Sequence, residues 1–222
     1  MTLLEAIYSR HSVRSYDETK EIEADKLDSI LKLVEKINSE SGLHIQAVLN
    51  EPKAFDSFLA HYGKFNGIKN YLVLIGKESD DLDELCGYYG EMLGLYIQSL
   101  GLNFCWVGLT YKKVADAYKI EKGEKLICVI PFGYGVNEGN PHKSKELNVL
   151  SNINDDSPAW FKEGVIAASL APTAINQQKF YLELIDNKVK AVYFKGPYAK
   201  VDLGIIKYHF EIGSNKDTSI WL

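Results

Sequence analysis

The stretch ASLAPTAINQQ (residues 168–178) lies between a helical pattern and a strand-like run in the last third of the chain. Small side chains at Ala171, Pro172, Thr173 and Ala174 would let the backbone lie against a flat ligand, and three amide side chains follow them. The strand-like run would hold this loop on a rigid edge, which is how folds usually present binding residues. The pattern predicts a site for a polar ring, and the alternative is an ordinary helix exit with solvated amides.

The overall composition is that of a soluble globular protein. The chain has 222 residues, 46% hydrophobic and 25% charged, which suffices for one sizeable core or for two small units sharing one. The net charge is -5 and the basic residues are dispersed, so we expect no nucleic-acid partner. No apolar run is long enough to span a bilayer and the N-terminus lacks a signal-peptide pattern, so we expect a cytoplasmic protein without membrane contact.

The cysteines and histidines show no metal or disulfide pattern. Cys86, Cys105 and Cys128 are widely spaced within apolar runs, which predicts buried thiols in a reducing compartment. The five histidines have no ligand spacing such as HExxH. We therefore expect no metal site.

A second candidate segment, RHSVRSY (residues 10–16), follows a short amphipathic helix. In an extended chain Arg10, Ser12 and Arg14 would share one face, with His11 beside them. Arginine forks match phosphate oxygens and keep their charge, so this face suits an anion. The alternative is a solvated basic turn after the helix.

Periodicity predicts an alternation of helices and strands. Helices are predicted at residues 3–8, 25–38, 81–100, 112–118, from 159 onward and at 198–213. Strands are predicted at residues 43–49, 71–76, 103–108 and 125–132, with a hairpin formed by 180–186 and 188–194. The loop 61–70 and the Gly/Asn/Ser-rich linker 133–158 complete this pattern.

The two long helical patterns, 81–100 and 198–213, suggest an internal relationship between two parts of the chain. Each carries a Leu-Gly pair, and Gly94 and Gly204 would each let a neighbouring backbone come close. We predict two related halves, 1–148 and 149–222, which together form one compact unit with the long helices packed as a pseudo-twofold pair.

Four segments resemble those of the FMN-dependent nitroreductase family. LEAIYSRHSVRSY is similar to the family's opening, in which an RxSxR segment holds the FMN phosphate and ribityl chain. LAPTAINQQ resembles its APSxxNxQP segment, which lines the flavin. GLNFCWVGL resembles its strand and turn near flavin N5, and PFGYG with the later Lys143 and Lys145 resembles its GYP loop. The resemblance implies an α+β fold with a mixed β-sheet flanked by helices.

The order of these segments departs from the family pattern. The APSxxNxQP-like segment comes about 160 residues after RHSVRSY, and it has Thr173 for Ser and Gln178-Lys179 for Gln-Pro-Trp. Typical members are homodimers with flavin sites at the interface, whereas this chain is similar to a subfamily in which one chain supplies both halves. We therefore expect one flavin site per chain, where RHSVRSY meets APTAINQQ. A monomer is then sufficient, and further dimerisation stays open.

The resemblance also implies a cofactor site and an activity. Its residues would be Arg10, His11, Ser12 and Arg14 with Lys143 at the phosphate, Trp106, Val107 and Gly108 near N5, Gly133, Tyr134 and Gly135 over the other face, and Pro172, Thr173, Asn176 and Gln178 at the ring edge. No catalytic side chain is implied, because flavin N5 carries the chemistry. The implied activity is electron transfer from NADH or NADPH to a nitroaromatic, a quinone or a similar small acceptor. An FMN-storage protein and an FMN enzyme with a dedicated substrate, of dehydrogenase or dehalogenase type, are the alternatives.

Overall fold

The computed structural model describes the backbone of residues 1–222 and every side chain except that of Leu59. Its α-helices are α1 (Leu3–Ser9), α2 (Ala24–Ser41), α3 (Phe58–Tyr62), α4 (Leu82–Ser99), α5 (Leu147–Leu150), α6 (Ala159–Ser169) and α7 (Ala199–Ser214). Its strands are β1 (Gln46–Val48), β2 (Tyr71–Lys77), β3 (Asn103–Phe104), β4 (Glu124–Gly133), β5 (Phe180–Ile185) and β6 (Lys188–Tyr193). The predicted α+β class is confirmed.

Two compact units make up the chain. The sheet unit consists of Met1, Arg10–Leu82 and Leu93–Pro141, and the helix-hairpin unit consists of Thr2–Ser9, Asp83–Met92 and His142–Leu222. The halves 1–148 and 149–222 and their pseudo-dimer arrangement stay a prediction.

The sheet unit is built on strands in the order β1-β2-β4-β3, with antiparallel neighbours. The run YLVLIG within β2 is buried throughout, which confirms the predicted central strand. An isolated parallel bridge joins Ser12 to Phe104 of β3, so a piece of RHSVRSY extends this edge and makes the pairing mixed.

The helix-hairpin unit contains the predicted hairpin. Strands β5 and β6 pair in antiparallel register around Asp186 and Asn187, whose positive φ values of 46° and 63° are those of a tight two-residue turn. Helices α6 and α7 pack together, with the Phe210 ring against Phe161 and beside Gly164. The loop that follows α6 is thereby held between a helix pair and a strand.

Glycines determine how closely α4 approaches α7 in the helix-hairpin unit. A Cβ on Gly204 would overlap the carbonyl oxygen of Glu84, and Gly87 makes the reciprocal approach to the α7 backbone. The close approach predicted for Gly204 is therefore confirmed. At Gly94 the nearest atoms belong to the Phe104 ring of the sheet unit, so the close backbone approach predicted there stays a prediction.

Some predicted elements differ in the structure. Residues 112–118 are not a helix: Ala117 N donates to Val114 O in a single turn, and both side chains pack against the core of the sheet unit. Packing there outweighs weak local helix propensity. Strand 43–49 is shortened to β1, strand 103–108 to β3, and α5 lies within the predicted linker.

Two further expectations concern buried thiols and membrane-spanning helices. All three cysteines are buried thiols, as predicted. Among the described residues, none of the helices combines the length and the apolarity that crossing a membrane requires.

Candidate functional site

RHSVRSY lies between β3 and the loop that follows β4. Val13 N donates to Phe104 O at 3.4 Å on one side. On the other side, Tyr16 forms an antiparallel bridge with Gly135, and Asp17 N donates to Tyr134 O at 2.8 Å. Three of the four segments that resemble the nitroreductase family thus meet within the sheet unit.

Both arginines and Ser12 affect the pKa of one buried thiol, that of Cys105. Burial raises the pKa of Cys105, whereas the positive charges of Arg14 and Arg10 and a hydrogen bond with Ser12 lower it. Arg10 is only 3% exposed, with its guanidinium carbon 5.4 Å from the Phe104 ring centre and its Nη2 3.5 Å from Ser12 Oγ. Arg14 is exposed. Its guanidinium carbon lies 5.9 Å from the Phe65 ring centre, so the face that Arg10, Ser12 and Arg14 are expected to share stays a prediction.

His11 ties this segment to the loop after β4. Its Nδ1 lies 2.8 Å from the carbonyl oxygen of Glu138, and because a carbonyl only accepts, Nδ1 carries a hydrogen. A neutral His11 therefore presents Nε2 as an acceptor, and only the imidazolium form donates to a phosphate. Gly139 packs on the same residue, since a Cβ there would lie 2.9 Å from His11 Cβ.

The GYG loop is fixed from two directions. Gly135 N donates to Oδ1 of the buried Asn103 at 2.9 Å. The Tyr134 hydroxyl accepts from Lys26 Nζ at 2.8 Å and donates to Glu23 Oε2, and this bond lowers the pKa of Glu23 to about 2. The Tyr134 side chain is thus engaged with α2, while Asn103, which the sequence analysis did not single out, holds the loop backbone.

The segment predicted near flavin N5 has one of its donors engaged. Val107 N donates to Val129 O at 2.9 Å, and Val129 N donates back to Val107 O at 3.0 Å. The Val107 N–H is therefore not available to a ring, and Trp106 and Gly108 on either side of it are partly exposed.

The loop after α6 adopts an unusual backbone. Residues 174–176 form a 3-10 turn, and positive φ values occur at Ile175 (49°), Asn176 (54°) and Gln178 (45°). A β-branched residue in the left-handed region is uncommon and strained. Ile175 is also 88% exposed, so packing of its own side chain does not hold this conformation.

The amides of this loop bind the segment that carries two lysines. Gln178 Nε2 donates to Lys143 O at 2.8 Å, and Gln178 Oε1 accepts from Lys145 N at 2.8 Å. Asn176 Nδ2 donates to the same Lys143 carbonyl at 3.0 Å, and its Oδ1 accepts from Gln178 Nε2 at 3.0 Å. We call these four bonds the amide clamp. Both amides predicted at the ring edge are engaged in it, so they position the backbone of residues 143–145.

The clamp leaves Lys143 as the outward cation. Lys145 Nζ donates to the carbonyls of Gln177 and Gln178 at 2.8 and 3.0 Å. Lys143 is exposed. Thr173 Oγ1 accepts from Gln178 N at 3.1 Å, so this oxygen already has a hydrogen-bond partner. Pro172 is buried, so its ring presents little surface to a ligand.

Asp202 anchors the other side of this loop and was missed by the sequence analysis. Its Oδ1 accepts from Ala174 N at 2.9 Å, and its Oδ2 accepts from Gln177 Nε2 at 2.7 Å. The residue is 5% exposed, and burial raises its pKa to about 6, against the effect of the two hydrogen bonds. Its position in the first turn of α7 is ordinary for an acid, so the sequence contains no signal for this role.

The predicted site residues fall into two groups. The sheet unit holds Arg10, His11, Ser12, Arg14, Trp106, Val107, Gly108, Gly133, Tyr134 and Gly135, and the helix-hairpin unit holds Lys143, Pro172, Thr173, Asn176 and Gln178. Within the sheet unit RHSVRSY contacts the GYG loop, and within the helix-hairpin unit Asn176 and Gln178 contact Lys143. That both groups serve one flavin stays a prediction.

Comparison with known proteins supports a single family. The profile of the family described as "Putative TM nitroreductase" matches residues 2–214. No curated protein matches the sequence.

Solved structures show the same fold at low sequence identity. A Thermotoga maritima structure described as a putative nitroreductase is 22% identical, with a TM-score of 0.70 over 96% of this chain and 83% of that chain. A nitroreductase-like protein of Streptococcus mutans is 17% identical, with a TM-score of 0.54 over 68% of this chain and 97% of that chain. A Clostridium acetobutylicum structure described as a putative NADH oxidase is 18% identical, with a TM-score of 0.52 over 69% and 99%.

Proposed function

The chain belongs to the putative TM nitroreductase family, and on that premise we propose that it is an FMN-dependent oxidoreductase. Its electrons would come from NADH or NADPH and pass to a nitroaromatic, a quinone or a similar small acceptor. The observation that carries the FMN proposal is the arrangement of the RxSxR segment beside β3, where Arg10 Nη2 lies 3.5 Å from Ser12 Oγ and Arg14, two residues further on, is exposed.

The use of arginine in this chain supports a phosphate site. The chain has 25 lysines and arginines, and its only arginines are Arg10 and Arg14. Guanidinium forks bind phosphate oxygens in pairs, whereas the ammonium group of lysine acts as a point charge. The donor set of two guanidinium groups and a hydroxyl therefore fits the phosphate end of FMN in kind and charge.

The residues of the chain would bind and orient the cofactor. Bound flavin would supply the redox chemistry by accepting a hydride at N5 and returning electrons to an acceptor. Arg10, held against Phe104, presents a preorganised cation, and the exposed Arg14 can adjust to the ligand. The hydrogen bond that Asn103 accepts from Gly135 N and the one that His11 donates to Glu138 O keep this side of the site in place.

The amide clamp supports a second candidate, an FMN-binding protein without turnover. Asn176 and Gln178 are engaged with the backbone of residues 143–145, so the ring edge would meet fewer free donors than the family segment implies. Such a protein would bind flavin and react slowly or not at all with an acceptor.

Absorbance spectroscopy of the purified protein tests the proposal. We expect FMN to bind with the spectrum of a protein-bound flavin, to bleach on anaerobic addition of NADH or NADPH, and to recover with a nitroaromatic or a quinone. Bleaching without recovery favours the second candidate. A protein that takes up no FMN contradicts both.

The phosphate site is tested by one pair of variants. Arg14→Ala should weaken FMN binding about 10-fold or more, corresponding to the loss of a charge-assisted contact of about 1.5–3 kcal/mol. Lys32→Ala removes an exposed cation from α2 and should leave FMN affinity unchanged. Riboflavin, which lacks the phosphate, should bind both proteins equally. Equal loss of riboflavin and FMN binding in Arg14→Ala would argue against a phosphate contact.

A further inference from the structure

The strained loop after α6 is held from two sides by side chains of the helix-hairpin unit. On one side the amide clamp joins Asn176 and Gln178 to residues 143–145. On the other side Asp202 accepts from Ala174 N and Gln177 Nε2. Gln177 Nε2 also donates to Pro197 O at 2.8 Å, so both hydrogens of that amide are engaged.

A loop with several left-handed residues needs such external support. Ile175, Asn176 and Gln178 all have positive φ, and the exposed Ile175 side chain contributes no burial. Strained conformations persist where the surrounding contacts over-determine them. Asp202 supplies two of those contacts from the first turn of α7.

We propose that Asp202 is a positioning residue that holds residues 174–178 in the conformation that fixes Lys143 and Lys145. Through this loop, Asp202 sets the position of the Lys143 backbone, from which the exposed side chain extends. The inference rests on the proposed function only in naming FMN as the ligand that benefits. The positioning role itself concerns the apoprotein.

The chemistry of the anchor makes its strength depend on ionisation. An ionised carboxylate accepts from both Ala174 N and Gln177 Nε2, whereas a protonated carboxyl has one oxygen that carries a hydrogen and faces an N–H donor. Protonation of Asp202 therefore weakens one of the two anchoring bonds. Burial has raised the pKa of Asp202 to about 6, so this change falls in a readily tested range.

The surroundings of Asp202 supply hydrogen-bond donors in place of a paired cation. Residues 174–178 carry no charged side chain. Lys179 Nζ donates to Lys195 O at 3.0 Å, and Lys207 pairs with Glu84. Lys200 precedes Asp202 by two residues on α7, a spacing that does not bring side chains face to face.

Hydrogen exchange of the apoprotein tests the positioning role directly. At pH 7.5, Asp202→Asn should speed exchange of the amides at residues 174–178 and at Lys145 at least 10-fold, because Asn cannot accept from both donors. The exposed Asp28→Asn on α2 should exchange like wild type. Wild-type exchange, corrected for the intrinsic pH effect, should approach that of Asp202→Asn as the pH falls from 7.5 to 5.5. Equal exchange in wild type and Asp202→Asn at pH 7.5, or no convergence at pH 5.5, would overturn the proposal.

Two further measurements separate the possible failures. If Asp202→Asn does not fold, Gln177→Met removes the donor to Asp202 Oδ2 without altering α7, and it should loosen the same amides. FMN titration should show at least 5-fold weaker binding by Asp202→Asn at pH 7.5 and a smaller difference at pH 5.5. A protein that binds no FMN contradicts the proposed function, while the exchange data still decide the role of Asp202. Normal FMN affinity together with altered exchange would overturn the link between this loop and the ligand.

Discussion

Glu91 Oε1 lies 2.7 Å from His209 Nε2, and neither side chain has any exposed surface. The other ring nitrogen, Nδ1, lies 3.0 Å from Ala167 O and therefore carries a hydrogen. The contact between Nε2 and the carboxyl group thus contains a single proton, on one partner or the other. This buried pair joins residues of α4 and α7 to the backbone of α6 within the helix-hairpin unit.

Removing one member of this pair should lower the free energy of unfolding. Glu91→Ala leaves His209 Nε2 buried without its partner, and we expect the free energy of unfolding to fall by about 3–5 kcal/mol. Glu91→Gln keeps a hydrogen-bonding group at the position and should cost less. Urea denaturation measures both, with the exposed Glu40→Ala on α2 as control, expected to change by under about 0.5 kcal/mol. A Glu91→Ala protein as stable as the control would contradict this account.

The approach of α4 to α7 predicts an unusual effect of alanine. In a helix interior, Gly→Ala normally stabilises by about 1 kcal/mol. Gly204→Ala should instead lower the melting temperature, because its methyl group would overlap Glu84 O. The exposed Ser39→Ala on α2 is the control and should melt like wild type. Thermal unfolding followed by circular dichroism decides the sign, and a higher melting temperature for Gly204→Ala would refute the close contact.

Asp202 should impose a pH dependence on global stability. Burial raises its pKa in the folded protein from 3.8 to about 6, so between these values the folded chain binds the proton more tightly than the unfolded chain. The resulting stability is fully present below about pH 4 and is lost as the pH rises through about 6. Relative to Asp202→Asn, wild type should therefore lose about 2 kcal/mol between pH 4 and pH 7.

Urea unfolding of the two proteins across this pH range measures that difference. The exposed Asp28→Asn should follow wild type in parallel. If the free energies of unfolding of wild type and Asp202→Asn change in parallel with pH, the pKa of Asp202 is not raised in the folded protein. Loop order and global stability are expected to move in opposite directions with pH, because protonation removes the burial cost while weakening one anchoring bond.

Two glycines provide a matched test of how RHSVRSY is supported. Gly139 (φ +73°) and Gly123 (φ +82°) have similar backbones, but a Cβ on Gly139 would lie 2.9 Å from His11 Cβ and 3.1 Å from Ser12 O. A Cβ on Gly123 would meet no described atom within 4 Å. Gly139→Ala should therefore weaken FMN binding several-fold. Gly123→Ala introduces a similar backbone strain without a contact to RHSVRSY, so it should leave FMN affinity unchanged. FMN fluorescence titration compares the two, and equal affinities would show that this contact does not shape the phosphate site.

The amide clamp predicts a strong effect of a nearly isosteric change. Gln178→Glu replaces the Nε2 donor by an oxygen that would face Lys143 O and Asn176 Oδ1. Because the side chain is only 4% exposed, we expect a loss of about 2–3 kcal/mol at neutral pH. Asn140→Asp makes the same amide-to-acid change at an exposed position and should be nearly neutral. Chemical denaturation checks both, and tolerance of Gln178→Glu would show that the clamp is weak.

Local patterns were sufficient where the physical cause is local. YLVLIG is an uninterrupted apolar run, and it forms the buried part of β2. Asp186 and Asn187 tolerate positive φ, and the hairpin turns on them. By contrast, residues 112–118 have the spacing of a helix but do not form one. Packing of Val114 and Ala117 against the core of the sheet unit outweighs the helix propensity of this segment.

The sequence indicated some contacts of the candidate site and gave no sign of others. The alternation in RHSVRSY predicts a shared face for Arg10, Ser12 and Arg14, because extended chain places every second residue together, and the contact between Arg10 and Ser12 agrees with this prediction. The role of Gln178 could not be predicted, because its partners Lys143 and Lys145 lie more than 30 residues away in sequence.

For this protein, the sequence by itself determined the α+β class, the main strands and the segment in which both arginines stand, since each depends on residue type and short spacing. Only the tertiary structure decided that the amides of ASLAPTAINQQ hold the lysine segment and that Asp202 anchors this loop. An amide or a carboxylate has the same hydrogen-bonding capacity in solvent as in a core. What it binds is therefore decided by which distant groups the fold brings within about 3 Å and removes from water.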